Sequence, residues 1–246
     1  MEIDVALVPH AARPADPCVF IVTDEIRAST TITTLLDIGC SAIYIEGALR
    51  AARQRGRETE SLLIGERHTR RPPGFDFANS PVALTRAGVR GRSAVLSTTN
   101  GTAILRMVRR SEHVLVGCLR NARACGTAAV HLAAARGVGI RVVCAGLQRR
   151  FVLEDAVAAG VIVERIVEAA DERHIVTHLT DAARAAVRLG DGYPDTLSAL
   201  LDSDGGRTLQ AIGEEEDIPF CAEVDVTGTV PILRDGNPMR IERLAP

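Results

Sequence analysis

Short apolar runs alternate along the chain with Ala-rich segments of helical periodicity, and a polar or glycine-rich break follows most runs. The runs at 18–22, 42–45, 62–64, 94–96, 114–116 and 140–144 predict strands. Helices are predicted after them: one ending near Gly39, one over 48–55, two running to Val108 and Ala135, and one over 153–167. Such alternation predicts an α/β fold, layered α/β/α, with a mostly parallel or mixed sheet. A further strand is expected at 175–180. Beyond Asp191 the pattern changes. Short helices are expected over 196–201 and from 203 toward 212, then a strand over 220–226. Gly228 and Asp235-Gly236 suggest turns between antiparallel strands, a short antiparallel C-terminal portion. No low-complexity linker interrupts the chain, so 1–246 is read as a single domain, built as one unit or as two intimately packed α/β subdomains.

Composition narrows the function classes. Apolar residues make up 46% of the chain, enough for a substantial core, whereas aromatics are 3% and Trp is absent. Few aromatics remove the stacking platforms of single-stranded nucleic-acid binders. The net charge of -2 gives no electrostatic reason for a nucleic-acid or membrane partner. Every one of the 29 basic residues is arginine, which leaves Arg as the permanent cation for any anion site. The six cysteines are scattered with no Cys-x-x-Cys pair, and reduced structural thiols are expected. No secretory signal or membrane-spanning run is read, so a cytoplasmic protein is expected, with homo-oligomerisation open.

In parallel sheets ligands bind beyond the C-terminal strand ends. Those ends carry Asp24, Arg27, Glu66, Arg67, Thr98, Thr99, Asn100 and Asn121. In the segment from Asp24 to Thr31, Asp24 suits Mg2+, Arg27 suits a phosphate or carboxylate, and Ser29, Thr30 and Thr31 offer hydroxyls at a helix start. The plainer reading is a helix cap by Asp24 or Ser29. Ser97 to Thr102, with Gly101, can cradle a phosphoryl group or simply cap a helix. Glu66 and Asp76 are candidate metal ligands and Arg67 a second anion clamp, in a stretch where Asn79 or Ser80 also suits a cap. Glu154-Asp155 at a helix start reads equally as site or as macrodipole partner. His174 and His178 sit too far apart on a strand to share an ion.

Five ordered motifs make the chain resemble the 2-phosphosulfolactate phosphatase family over most of its length. They are Asp24-Glu25-Ile26-Arg27-Ala28-Ser29-Thr30-Thr31, Gly74 through Pro81, Ser97 through Thr102, Cys144-Ala145-Gly146 with Glu154-Asp155 and Ala159-Gly160, and Glu216 through Cys221. The resemblance implies Mg2+-dependent hydrolysis of the phosphate ester of a small 2-hydroxy acid, as in coenzyme M biosynthesis. It implies Asp24, Arg27, Glu66 and Asn100 as catalytic groups, and Asp24, Glu66, Asp76 and Asp155 as metal ligands. Ser29, Thr30, Thr31, Arg67, Asn79, Ser80, Thr98, Thr99, Gly101, Thr102 and Asn121 would then bind a small anionic phosphorylated substrate. Two departures bear on recognition: Glu25 stands where the family has an apolar residue, and His68-Thr69-Arg70 replaces the glycines usual after Gly-Glu-Arg.

Overall fold

The computed structural model describes residues 1–245. The first strands are β1 (Glu2–Ala6), β2 (Cys18–Thr23), β3 (Ile43–Ile45), β4 (Leu62–Gly65), β5 (Phe77–Ala78) and β6 (Ala94–Ser97). β7 (Val114–Val116), β8 (Gly139–Cys144), β9 (His178–Leu179), β10 (Pro231–Arg234) and β11 (Arg240–Arg243) complete one eleven-stranded sheet. Its helices begin with α1 (Ala28–Asp37), α2 (Leu49–Thr59), α3 (Pro81–Thr85), α4 (Gly101–Val108) and α5 (Ala122–Arg136). They continue with α6 (Leu153–Asp171), α7 (Asp181–Asp191), α8 (Thr196–Asp202), α9 (Asp204–Ile212) and α10 (Asp217–Ala222). The mixed sheet and its flanking helices make the layered α/β/α fold that the patterning predicts.

Strand order is β5-β4-β6-β3-β11-β10-β7-β2-β8-β1-β9. β5-β4-β6-β3 and β7-β2-β8-β1-β9 are two internally parallel blocks, and the antiparallel β10–β11 hairpin joins them. Because β10 and β11 each run against their outer neighbours, the two blocks point in opposite directions. Normal sheet twist, about 20–25° per strand pair, accumulates to about 120–150° over the six steps from β2 to β4. That rotation offsets the reversed polarity and turns the C-terminal ends of both blocks toward one place.

α1 lies at the centre. Its residues 28–36 are all buried, as expected of a helix enclosed on every side. Phe20, Ile32, Leu35, Ile45, Ile64, Leu96 and Leu105 form one core around it, drawn from both strand blocks. A second core under α5, α6 and α7 buries Ile3, Val19, Ile21 and Val142 on the other face of the sheet. All six cysteines are free, and all but Cys18 are buried, so they serve as small apolar core residues.

Three local expectations change. The segment 220–226 is helical at its start: α10 buries Ile218, Cys221 and Ala222, whose helical spacing packs onto Leu119, Leu200 and Leu209. Apparent alternation there is less decisive than that apolar face. The strand expected at 175–180 shortens to β9. β1 and α7 lie outside the predicted elements; α7 buries only Ala183 and Ala186, too small a stripe to stand out.

Arg141 ties the N-terminal strands together. Its guanidinium donates to Asp4 at 2.8 Å, to Asp16 at 2.8 Å and to the carbonyl of Ala12 at 3.2 Å. Arg141 and Asp4 are both buried. Arg141→Met should cost about 1–3 kcal/mol, because Asp4 loses its buried cation and keeps only the exposed Arg13 and the Thr180 hydroxyl. Urea unfolding checks this; a change below about 1 kcal/mol would contradict it.

Candidate active site

The loops after β2, β4, β6 and β8 meet the starts of α6 and α9 around a cavity of about 200 Å³. A larger hollow of about 530 Å³ lies by Cys18, Val19 and His113, at the opposite end of β2. The first cavity sits where the ends of β2, β4, β6 and β8 gather polar side chains.

Asp24 leaves β2 and enters α1. Its carboxylate Oδ1 accepts from the Ala28 N–H at 3.2 Å, and its own N–H donates to Ser29 Oγ at 2.9 Å. Capping and pocket lining are therefore both true of Asp24. A Cβ at Gly101 would stand 2.8 Å from Asp24 Oδ2 and 2.8 Å from Ala28 Cβ, so only glycine lets α4 start there. Burial pushes the Asp24 carboxyl up to about 6, with the Ala28 N–H opposing and the Glu66 charge adding.

Three further carboxylates face the cavity. Asp155 accepts from Glu25 N–H and Gly146 N–H, both at 2.8 Å, and so joins the ends of β2 and β8. Glu66 accepts from Thr99 N–H at 2.6 Å and Thr69 N–H at 3.1 Å, joining the ends of β4 and β6. Glu154 is 4% exposed and its Oε2 has no hydrogen-bond partner. Burial raises the pKa of Glu154, and raises Asp155 well above the usual carboxylate range with help from the Asp24 and Glu154 charges. Asn79 Oδ1, on the same cavity, is also buried without a partner.

Arg27 is the only arginine among the described residues that line the cavity. Its guanidinium is ion-paired with Glu214 and, at 2.6 Å, with Asp217. Asp217 also accepts from Ser80 Oγ at 2.9 Å and Val82 N–H at 3.1 Å. The cavity thus presents four carboxylates and one cation that the protein already neutralises.

The structure brings Asp24, Arg27, Glu66, Asn79, Thr98, Thr99, Asn100 and Asp155 to this cavity. The remaining candidates do not line it, and most have other partners, whereas the Thr31 hydroxyl is buried with none. Arg67 is instead a brace, donating to the carbonyls of Gly47 at 2.7 Å and Ser97 at 3.0 Å. Asp76 instead holds the β4 main chain by accepting from Leu63 N–H at 2.7 Å. Ser80 caps α3. Asn121 is buried and satisfies Cys118 N–H and the carbonyls of Val116 and Thr229. Ser29 and Thr30 bond to Val22 and Glu25, Thr31 is buried, and Thr102 bonds back to the Thr98 carbonyl. Gly101 acts by its close approach to Asp24 rather than by contact with the cavity.

Glu154, His68, Thr69 and Gln148 also line the cavity; Glu154 is legible in sequence only as half of an acidic pair, His68 and Thr69 only as a departure bearing on recognition, and Gln148 not at all. Of that pair, the sequence reading chose Asp155. Glu25 is not at the site's edge but fully enclosed: Leu119 N–H donates to its Oε2 at 3.0 Å, and its Oε1 lies 3.1 Å from Thr30 Oγ1.

This is a mixed-sheet α/β protein with an acid-rich pocket at its strand ends. A family model described as 2-phosphosulpholactate phosphatase matches residues 5–236. A Thermus thermophilus protein named a "Probable 2-phosphosulfolactate phosphatase" is 37% identical over 235 residues, covering 95% of this chain and 94% of that one. A Deinococcus radiodurans protein of the same name is 36% identical over 240 residues, covering 96% and 95%. One from Thermotoga petrophila is 32% identical over 235 residues, covering 95% and 96%. The chain belongs to the 2-phosphosulfolactate phosphatase family.

Burial pushes Glu25 up to about 8 from an ordinary value of 4.5. Stability from its neutral form is full below the ordinary value and is lost as pH rises through about 8. Protonated, Glu25 can donate to Thr30 Oγ1 while that hydroxyl donates to the Glu25 carbonyl at 3.0 Å. Glutamine can make the same contacts without charge. Glu25→Gln should therefore match the parent at pH 5 and melt higher at pH 9, read by thermal scans of metal-free protein. Parallel melting curves across that range would contradict the assignment.

Proposed function

We propose that the chain is a Mg2+-dependent phosphatase that hydrolyses 2-phosphosulfolactate, the phosphate ester of a short 2-hydroxy acid, to sulfolactate and phosphate. Family membership, the names of the relatives and a cavity of metabolite size support this reading. On the same reading it serves coenzyme M biosynthesis in the cytoplasm. No described helix is long and apolar enough to cross a membrane.

The observation that carries the reading is the excess of carboxylates over free cations in the cavity. A phosphate dianion meets repulsion there unless a cation accompanies it. Among the described residues no group of three or more His, Cys, Asp or Glu side chains is placed to hold an ion by itself. Mg2+ does not require one: it takes one or two carboxylates, keeps waters and shares the substrate's phosphate. The unpartnered Glu154 Oε2 and the raised pKa values of Asp24, Glu154 and Asp155 fit such an ion. Asp24 and Glu154 would hold it, while Glu66 and Asp155, engaged by main-chain N–H groups, keep the surrounding field negative. Bound there, Mg2+ supplies the positive charge that offsets the phosphoryl oxygens.

The chain's own residues do the positioning. Asn100 Oδ1 accepts from Gln148 N–H at 3.2 Å, leaving Nδ2 as a donor for the ester. Thr98 and Thr99 present hydroxyls beside it. Arg27, locked by two carboxylates, fixes the wall opposite and adds a directional donor rather than net charge. The account uses water as the nucleophile: it adds to phosphorus, the ester oxygen leaves with a proton, and phosphate is released.

Asp24→Asn should lower phosphate release from 2-phosphosulfolactate at saturating Mg2+ by at least about 100-fold. The parent should lose comparable activity in chelator and regain it with Mg2+. Parent-like activity of the variant, or activity unaffected by chelation, would defeat the assignment.

A further inference from the structure

One buried carboxylate ties together two polar segments of the cavity wall. Asp217, at the start of α10, accepts from Arg27 Nη1 through Oδ2 at 2.6 Å. Its Oδ1 accepts from Ser80 Oγ at 2.9 Å and from Val82 N–H at 3.1 Å. Arg27 stands immediately before α1 and Ser80 immediately before α3, with Asn79 next to Ser80. Asp217 therefore fixes the helix entry that carries Arg27 against the one that carries Asn79. The motif from Glu216 to Cys221 reaches the site through this one side chain.

Glu214 and Asp217 both engage Nη1 of Arg27, which leaves the opposite edge of the guanidinium. Nε and Nη2 bond to no described residue, yet neither is enclosed without a partner, so both reach open space. Arg27 is buried and lines the cavity, and that edge is its opening there. Asn79 is buried on the same cavity: its Oδ1 is enclosed without a partner, whereas Nδ2, also unbonded, is not enclosed. The accessible side-chain atoms of both residues are thus hydrogen-bond donors. An enclosed acceptor left unpaired costs stability, so Asn79 calls for an explanation in function.

We infer that Arg27 and Asn79 read the carboxylate of the substrate, and that Asp217 is the positioning residue that sets these donors together. This rests on the proposed hydrolase reading for the identity of the substrate. Nε and Nη2 present two parallel N–H bonds, the geometry that pairs with both oxygens of a carboxylate. Arg27, neutralised by Glu214 and Asp217, has no net charge to offset a phosphate dianion, but its fork recognises a planar monoanion by direction. In a 2-phosphooxy acid the carboxylate and the ester oxygen share one carbon. Asp24 and Arg27 share one helix entry, so phosphate at Asp24 directs the adjoining carboxylate toward Arg27.

The test compares 2-phosphosulfolactate with the phosphate ester of isethionate, in which hydrogen replaces the carboxylate. Both are given with Mg2+ to the parent, Arg27→Lys, Asn79→Ala and Asp217→Asn. The parent should favour the carboxylated ester in kcat/KM by at least about tenfold, because a site built of donors rejects a substrate that leaves them unpaired. Each variant should lose most of that preference, chiefly through a raised KM for the carboxylated ester. Asp217→Asn does so without touching substrate, because its amide cannot accept from both Arg27 and the α3 entry. Asp217→Glu, which keeps the charge and displaces the tie, takes its place if Asp217→Asn does not fold. A parent without the preference, or an Arg27→Lys or Asn79→Ala variant that keeps it, would overturn the carboxylate site. Equal losses on both esters in the Asp217 variant would overturn its positioning role. Melting-temperature shifts induced by sulfolactate and isethionate with Mg2+ read the same selectivity without turnover. If the parent hydrolyses neither ester, a shift given by sulfolactate alone and lost in Arg27→Lys upholds the carboxylate site while the hydrolase reading falls. Equal shifts, or none, in such a parent overturn the site.

Discussion

Carboxylates that clasp the ends of different strands, two of them buried, hold this architecture together at its functional edge. Asp155 grips N–H groups from the loops after β2 and β8, Glu66 those after β4 and β6, and Asp217 joins Arg27 to the start of α3. Each carboxylate loses hydration on burial and recovers part of that loss through main-chain donors. Asp155 and Glu66 each tie neighbouring strands of one block, and the link across the opposed blocks comes from Asp217 between Arg27 and Val82 and from Gln148 N–H donating to Asn100 Oδ1.

The same clasps set the electrostatics. Main-chain N–H groups satisfy carboxylates without supplying net charge, so the cavity stays acidic while its walls are rigid. Arg27 does not change this, since Glu214 and Asp217 already neutralise it. The raised pKa values of Asp24, Glu154 and Asp155 follow from crowding like charges in a poorly hydrated space. A site of this kind is poorly suited to a bare anion and well suited to an anion carried with a cation. Chemistry on a phosphate ester then follows from charge neutralisation and positioning rather than from a preformed cationic cradle.

Much of this was legible in the sequence because it is local. The run at 18–22 leading to Asp24, the Ser-Thr-Thr-Asn-Gly break after 94–96 and the strand before Gly146 announce strand ends, and strand ends are where α/β sheets place ligands. Partners distant in sequence were not legible. Arg67 looks like an anion clamp until Gly47 and Ser97 carbonyls are seen to occupy it, and Asn121 looks like a substrate contact until the Val116 and Thr229 carbonyls are seen to take its amide. Glu25 looks like a departure that bears on recognition because nothing nearby in sequence shows that Leu119 N–H encloses it. Glu154 was hidden by its neighbour: the two adjacent acids differ only in that one is tied by N–H groups and the other left open. The reversed polarity of the two strand blocks depends on where a C-terminal hairpin inserts, which no local pattern encodes.

The central claim is that an acidic pocket accepts a phosphoryl anion only together with a divalent cation. Calorimetric titration of inorganic phosphate into the protein, with and without saturating Mg2+, tests it most directly. Binding is expected with Mg2+, and no measurable heat of binding in chelator. Equal affinity in both conditions would contradict it.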